Sequence, residues 1–189
     1  MTAAVPAAAP ATFTLLVSCC SHAMGRARRE ILTRLRVLGD DTPLVVPTGV
    51  RGLLEVHTSL DSRRVVQELD RTCRQSPQAF RYTLRWVPVD AWTAADLEAM
   101  KPAVCSLSER IAANETWRMT VARRASDGLD PIIVIQTLAA LIPARVDLTH
   151  PDKILRVELF EDRVALSVLG PADVFSVVKA RAGPGPSSG

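Results

Sequence analysis

The sequence is short of aromatic residues, lysine, asparagine and recognisable catalytic motifs, and each shortage excludes something. Phe, Tyr and Trp make up 4% of the chain, with a single Tyr. That leaves little for a base-stacking sheet, and the RNP1 pattern of an RRM is missing. The four cysteines (Cys19, Cys20, Cys73, Cys105) form no C-x-x-C and no paired Cys/His spacing, so no zinc site is expected. Adjacent Cys19 and Cys20 bridge to each other only with strain. With no export signal in the Ala/Pro-rich residues 1–12, reduced thiols and a cytoplasmic location are expected. No apolar stretch approaches the length of a membrane-spanning helix, so no membrane is expected among the partners.

Catalytic patterns are equally thin. There is no G-x-S-x-G, no Gly-rich phosphate loop and no H-E-x-x-H, so no catalytic residue, cofactor or metal is expected. His22, His57 and His150 are scattered over a helix start, a strand end and a turn. His57 lies two residues from Glu55 on one strand face, a placement usual for solvated side chains. Cys19 and Cys20 end an apolar run, where inert packing is the expected role.

What is present is an apolar content of 48%, enough for a core, and a marked bias among the cations: of 23 basic residues only Lys101, Lys153 and Lys179 are lysine. Arginine offers a planar fork suited to phosphate, although GC-rich coding or a thermophilic host produces the same bias. The net charge is +3, but it is unevenly spread. Residues 1–89 carry 12 basic and 7 acidic side chains and residues 90–189 carry 11 and 13.

The first half reads as β-α-β-β-α-β, the ferredoxin-like order. Its strands are expected at Phe13–Cys19, Leu44–Val46, Gly52–His57 and Phe80–Val89. Its helices are expected over His22–Leu38, capped by Ser21 and stopped by Gly39, and from Asp61 to before Pro77. In the last strand Phe80, Tyr82, Leu84 and Trp86 should share an apolar face and Arg81, Thr83 and Arg85 a polar one. In the second half Leu97, Met100, Val104, Leu107 and Ile111 have helical spacing, but Pro102 interrupts them. Two helices joined at Lys101-Pro102 are therefore expected. A strand over Thr116–Arg124 follows, buried through Trp117, Met119 and Val121, with Arg118 and Arg124 on its polar face and Arg123 beside them. Asp130-Pro131 opens a helix over Ile132–Ile142. Strands Ile154–Phe160 and Val164–Leu169 form a hairpin, and a short helix over Pro171–Arg181 closes the chain. The Gly/Pro/Ser tail reads as disordered.

The segment Val146-Asp147-Leu148-Thr149-His150-Pro151-Asp152-Lys153, followed by an apolar strand carrying Glu158, resembles the THUMP domain, a tRNA-binding module of RNA-modifying enzymes. The order helix-helix-strand-helix-strand-strand is the one expected of that family, and the preceding ferredoxin-like unit resembles its usual companion. The resemblance implies an α/β (α+β) protein with a disordered N-terminus (1–12), a ferredoxin-like domain (13–90), a THUMP domain (91–181) and a disordered tail (182–189). Thr58-Ser59-Leu60-Asp61 and the run from Phe80 to Val89 are similar to stand-alone THUMP proteins, and no catalytic domain follows. This implies a non-catalytic tRNA-binding adaptor for a separate tRNA cytidine acetyltransferase that forms N4-acetylcytidine. The acceptor-arm region would be held through phosphates and shape. Candidate RNA-contacting residues are Arg81, Arg85, Arg118, Arg123, Arg124, Arg145 and Lys153. Asp147 and Pro151 are expected to shape their turn. The rivals are a small RNA-modifying enzyme and a ferredoxin-like regulatory module that binds a small molecule or protein.

Overall fold

In the computed structural model, residues 12–125 and 128–183 are described. The expected disordered ends therefore lie almost wholly outside the described residues. In chain order the elements are β1 (Phe13–Cys19), α1 (Met24–Val37), β2 (Leu44–Pro47), β3 (Leu53–Thr58), α2 (Ser62–Gln75), β4 (Thr83–Val89) and β5 (Ala91–Ala94). There follow α3 (Leu97–Ser108), β6 (Thr116–Arg123), α4 (Pro131–Ala139), β7 (Arg145–Val146), β8 (Lys153–Leu159), β9 (Arg163–Leu169), β10 (Phe175–Ser176) and α5 (Val177–Ala182). They form two five-stranded sheets, β10-β4-β1-β3-β2 and β5-β9-β8-β6-β7. The expected ferredoxin-like unit followed by a second α/β unit is present.

In the first sheet β1 lies between β3 and β4, antiparallel to both. Leu15, Val17 and Cys19 alternate towards the helices. There they meet Ala27, Ile31 and Leu35 of α1 and Val65, Val66, Leu69 and Cys73 of α2. Asp61 caps α2, its carboxylate accepting from the Arg64 N–H at 2.8 Å. Gly39, at φ 101°, takes the left-handed conformation that ends α1. Ser21 does not cap that helix. Residues Ser21–Ala23 form a single 3-10 turn, and α1 starts at Met24 without a side-chain cap.

The last strand of this unit departs from simple alternation. It begins at Thr83, and its pairing slips by one residue between Ser18, opposite Arg85, and Cys19, opposite Thr83. Leu84 is the extra residue of this bulge and is 41% exposed, whereas Trp86 is fully buried. The expected apolar face therefore loses Leu84, while Phe80 and Trp86 stay in the core.

In the second sheet β6 runs parallel to β7 and β8, and β8 and β9 form the expected antiparallel hairpin. Trp117, Leu155, Val157, Leu159, Val164 and Leu166 face α3 and α4. Asp130 caps α4 from in front of Pro131. The expected break at Pro102 is absent, since α3 is one helix that contains it. Proline frees only the carbonyl four residues back, and here Pro102 and Glu98 are both exposed, so water can satisfy it. Met100, Val104, Leu107 and Ile111, all buried, hold the helix together. Ahead of α3 lies β5, a strand outside the sequence expectation, which pairs antiparallel with β9.

The chain then returns to the first unit. In place of a plain helix over 171–181, β10 pairs with β4 and α5 follows it. Phe175, Val177 and Ala180 enter the first core, Phe175 meeting Phe80 edge-on at 4.9 Å between ring centroids. Arg181 donates to the carbonyls of Pro77 and Phe80 at 2.9 and 2.6 Å. Residues 175–182 thus complete the ferredoxin-like unit.

The two units meet across the sheet faces turned away from their helices. Leu16, Leu53, Val89, Phe160 and Ala165 form a small apolar cluster there. Asp90 anchors it. Its side chain is only 3% exposed, and it accepts from Arg63 Nη1 (2.8 Å), Arg63 Nη2 (3.0 Å), Arg110 Nη1 (2.6 Å) and the Val168 N–H (2.8 Å). Asp90→Ala strips a partner from two arginines and is expected to lower stability by about 3–5 kcal/mol in urea unfolding. Glu68→Ala, which breaks the exposed pair with Arg71, should cost less than about 1 kcal/mol. Equal small losses for both would show that Asp90 does not hold the units together.

Candidate nucleic-acid interface

The interface is built from strand alternation. On β6, Trp117, Met119 and Val121 face the helices, so Arg118 and Thr120 face the first unit's side. On β8 the same parity turns Arg156 and Glu158 that way, with Arg156 level with Thr120 on β6 and Ser167 on β9. The Ser167 hydroxyl donates to the Pro88 carbonyl of β4 at 2.7 Å, which brings β4 beside this face.

Glu158, 3% exposed, lies at the centre. Arg124 and Arg156 each donate Nε–H to one of its oxygens. Arg85, carried in from β4 of the other sheet, joins the group. Arg85 is exposed on one side, yet the surrounding protein lowers the pKa of its guanidinium: lost solvation contributes most, repulsion from Arg156 and Arg124 adds to it, and Glu158 opposes it. Three cations thus surround one carboxylate. Both carboxylate oxygens are taken, and Arg85 makes no ion pair among the described residues. Two further atoms nearby also lack partners there: Arg118 Nε and Thr120 Oγ1 are buried without a hydrogen bond, although Arg118 Nη1 reaches the Leu148 carbonyl at 3.0 Å. A buried donor without a partner costs on the order of 1–3 kcal/mol, which an arriving acceptor recovers.

The seven candidate residues therefore fall into groups. The structure gathers Arg85 and Arg124, with Arg118 on the same sheet face as Arg156. Arg81 lies apart at the start of β4 beside α1, its N–H bonded to Glu30 at 2.7 Å. Arg123 has the opposite parity to Arg118, and its Nη2 donates to the Leu129 carbonyl at 3.1 Å. Arg145 is exposed on the edge strand β7. Lys153 pairs with Glu115 at 3.5 Å. Arg156 is not among the sequence candidates and Glu158 entered only as the acid of the family resemblance, although their alternation with Leu155, Val157 and Leu159 was the available signal for this face.

The turn after β7 is shaped as its residues suggest. Asp147 accepts from the His150 and Thr149 N–H groups at 2.9 and 2.8 Å, bonds that lower its pKa. Asp152 accepts from the N–H and hydroxyl of Thr116, fastening the turn to β6, and its pKa is also lowered. His57 Nε2 lies 3.0 Å from Glu55, whose other oxygen accepts from Arg163 at 2.6 Å. Arg163 in turn lies over the Trp92 ring at 4.2 Å from its centroid. This group ties the two units together through residues that also engage one another.

Residues 94–169 match the THUMP domain family, so the second unit carries a THUMP domain. The match runs from the last residue of β5 to the end of β9 and leaves out the returning segment. Three solved structures share the fold of most of the chain. PH1313 from Pyrococcus horikoshii Ot3 is 13% identical with a TM-score of 0.65, over 87% of this chain and 55% of that one. TrmN from Thermus thermophilus is 13% identical with a TM-score of 0.56, over 82% and 45%. A 4-thiouridine synthetase, in complex with RNA and with bound ATP, is 16% identical with a TM-score of 0.58, over 88% and 42%. The chain spans about half the length of these structures, and identities this low establish the fold alone. No curated protein matches the chain.

The charge arrangement separates binding from stability. Arg85→Ala removes an unpaired, crowded cation and should leave urea stability unchanged or raise it by up to about 1 kcal/mol. Arg124→Ala or Arg156→Ala strips a partner from buried Glu158 and should cost about 1–3 kcal/mol. A loss for Arg85→Ala as large as for the other two would mean that Arg85 is a structural member of the cluster.

Proposed function

We propose that this chain is a non-catalytic tRNA-binding adaptor acting in tRNA modification. The observation that carries the reading is that Arg124 and Arg156 occupy both oxygens of Glu158 while Arg85, brought to the same junction by the other sheet, has no ion-pair partner among the described residues. Such a group holds positive charge in excess at a junction of two units, where a polyanion can be gripped by phosphate contacts. The THUMP domain that supplies two of these arginines supports RNA as the polyanion, as does the shared fold with a synthetase solved on RNA. Arg118 Nε and Thr120 Oγ1 add donors on the same face. Because the grooves of an RNA helix are poorly readable by side chains, contacts of this kind recognise shape and backbone. We assign them to the acceptor-arm region of tRNA.

The enzyme served would be a separate tRNA cytidine acetyltransferase forming N4-acetylcytidine in the cytoplasm, with acetyl-CoA and ATP belonging to that partner. Support for the adaptor role is the paucity of catalytic motifs in the sequence. A surface for the partner is offered by α4, where Ile132, Ile133 and Ile135 are 64%, 52% and 37% exposed. Among the described residues no helix is long and apolar enough to cross a membrane.

Binding of bulk tRNA should weaken steeply with salt. The double variant Arg85→Gln/Arg118→Gln should weaken it for every tRNA and flatten the slope of log Kd against log salt by about 2. Salt-independent binding, or an unaffected folded variant, would remove the arginine face from the interface. Added to a cognate acetyltransferase with acetyl-CoA, ATP and tRNA, the chain should raise acetylcytidine formation by holding both partners together, with no product from the chain alone. Equal product with and without it would displace the adaptor reading in favour of a regulatory module.

A further inference from the structure

Helices α1 and α2 have the same length, 14 residues, and cover the same face of the first sheet, yet they handle charge in opposite ways. On α2 the arginines have partners one turn away or across the junction: Arg71 pairs with Glu68, Arg74 with Asp70, and Arg63 with Asp90. Only Arg64 has none. On α1 five arginines (Arg26, Arg28, Arg29, Arg34, Arg36) share one acid, Glu30, and none forms an ion pair among the described residues. Glu30 is engaged elsewhere. Its oxygens accept from the Arg81, Tyr82 and Thr83 N–H groups at 2.7, 3.1 and 3.0 Å and from the Thr83 hydroxyl at 2.6 Å. A compositional arginine bias would act on both helices alike, so it does not account for the difference.

Spacing and orientation sharpen the contrast. Arg26, Arg29, Thr33 and Arg36 follow at three, seven and ten residues, which places them along one exposed stripe about 15 Å long. Two guanidinium groups lie over rings, Arg26 over Tyr82 at 5.7 Å and Arg34 over Phe80 at 5.6 Å from the centroids. A stacked guanidinium keeps its N–H edges free while its plane is fixed, the preorganised form of a phosphate fork. Arg34 Nε is buried without a partner. Arg26, Arg29, Thr33, Arg34 and Arg81, with Glu30 among them, line a shallow depression between α1 and the start of β4, and Arg36 lies outside it. Arg81 and Arg85 lie four residues apart, no more than about 14 Å along the chain, so the depression and the inter-sheet cluster share one end of the sheet.

We propose that the α1 stripe, Arg26, Arg29 and Arg36 with Arg34 and Arg81, is a second RNA-backbone contact that extends the inter-sheet cluster around the start of β4. The proposal rests on the tRNA-binding reading above. A folded RNA, with phosphates repeated along its length, matches a ladder of cations spread over three turns. An acidic protein segment would need apolar anchors as well, and on α1 the one exposed large apolar side chain is Val37, at the far end.

The test compares tRNA binding across a salt series for the wild type, the triple variant Arg26→Gln/Arg29→Gln/Arg36→Gln and the cluster variant Arg85→Gln/Arg118→Gln. The triple variant should bind about ten-fold or more weakly at moderate salt and flatten the log–log slope by about 2–3. The matching triple arginine-to-lysine variant, which keeps the charge, should keep most of the slope. An independent readout uses the wild-type protein: tRNA should protect Arg26, Arg29 and Arg36 from a dicarbonyl arginine reagent, read by mass spectrometry. An unchanged triple variant beside a weakened cluster variant, or no protection, overturns the proposal and leaves the tRNA reading standing. Intact tRNA affinity with lost stimulation of the acetyltransferase overturns it in favour of a protein-docking face. If neither variant weakens binding, both readings fall together.

Discussion

The geometry of this protein depends on one carboxylate. Asp90 occupies the turn between the last strand of the ferredoxin-like unit and the first strand of the second sheet, and both oxygens are used by donors from three other segments. Arg63 comes from α2, Arg110 follows α3 and the Val168 N–H belongs to β9, so the residue fixes the orientation of a helix, a loop and a strand at once. Burial is the largest single influence on Arg63 and lowers its pKa, but the hydrogen bond to Asp90 together with the charges of Asp90, Asp173 and Asp61 outweighs it and the net shift is upward. Without this lock the apolar cluster of Leu16, Leu53, Val89, Phe160 and Ala165 would have to align the units alone, and it is small. The position of Arg85 opposite Arg124 and Arg156 is a consequence of that alignment, because the first arginine belongs to one sheet and the others to the second.

Charge is treated differently on either side of this lock. Around Asp90 the two arginines Arg63 and Arg110 are offset by two carboxylates, Asp90 and Asp173, and at Glu55 the one arginine donor is Arg163, so these groups are balanced. At Glu158 two arginines already saturate the carboxylate and a third, Arg85, faces them from the other sheet without an ion pair among the described residues, a costly arrangement in a structural ion pair. Excess of one sign at a junction is what a site for a polyanion requires, and folding alone gives no reason for it. The same contrast separates α1 from α2. Local rules that a stable surface would obey are kept on one helix and broken on the other, which makes the exception informative.

Local signals in the sequence that were complete within a few residues were dependable except at Ser21, which enters a 3-10 turn ahead of α1 and does not cap that helix. Asp61 and Asp130-Pro131 marked helix starts because a cap is a contact within one turn. The alternation from Trp117 to Val121 identified the buried face of β6 because period two is imposed by the backbone. The other failures involve partners distant in the chain. Leu84 faces solvent because of a bulge against Cys19, and no residue near Leu84 announces it. Pro102 fails to break α3 because the carbonyl it frees is in water, which depends on how the helix sits on its sheet. For the candidate site, parity placed Arg85 and Arg118 on polar faces, but which arginines would meet depended on the docking of the two sheets. Arg123, Arg145 and Lys153 shared the composition of the site without sharing its location.

The returning segment shows how far such distant closure extends. Phe80 precedes β4 and is buried, yet its ring is completed by Phe175, and its carbonyl is satisfied by Arg181. The β4 edge would otherwise present unpaired backbone groups beside the Arg85 bulge, and β10 covers it with two residues, Phe175 opposite Trp86 and Ser176 opposite Arg85. The ferredoxin-like unit is therefore not contiguous in sequence: its sheet and core close only after the THUMP domain has been threaded between its fourth strand and its fifth. Because the THUMP domain is inserted into that unit, it is held at both of its ends, by Asp90 where the chain leaves and by the Gly170–Asp173 turn where it comes back. At that second end the Gly170 N–H donates to Asp173, whose carboxylate also lies 3.6 Å from Arg63. Arg63 thus reaches both crossings of the chain between the units. Two crossings fastened by one arginine restrict hinge motion far more than a single linker could, and a cluster assembled from both sheets needs that restriction to keep Arg85 facing Arg124 and Arg156 across the junction.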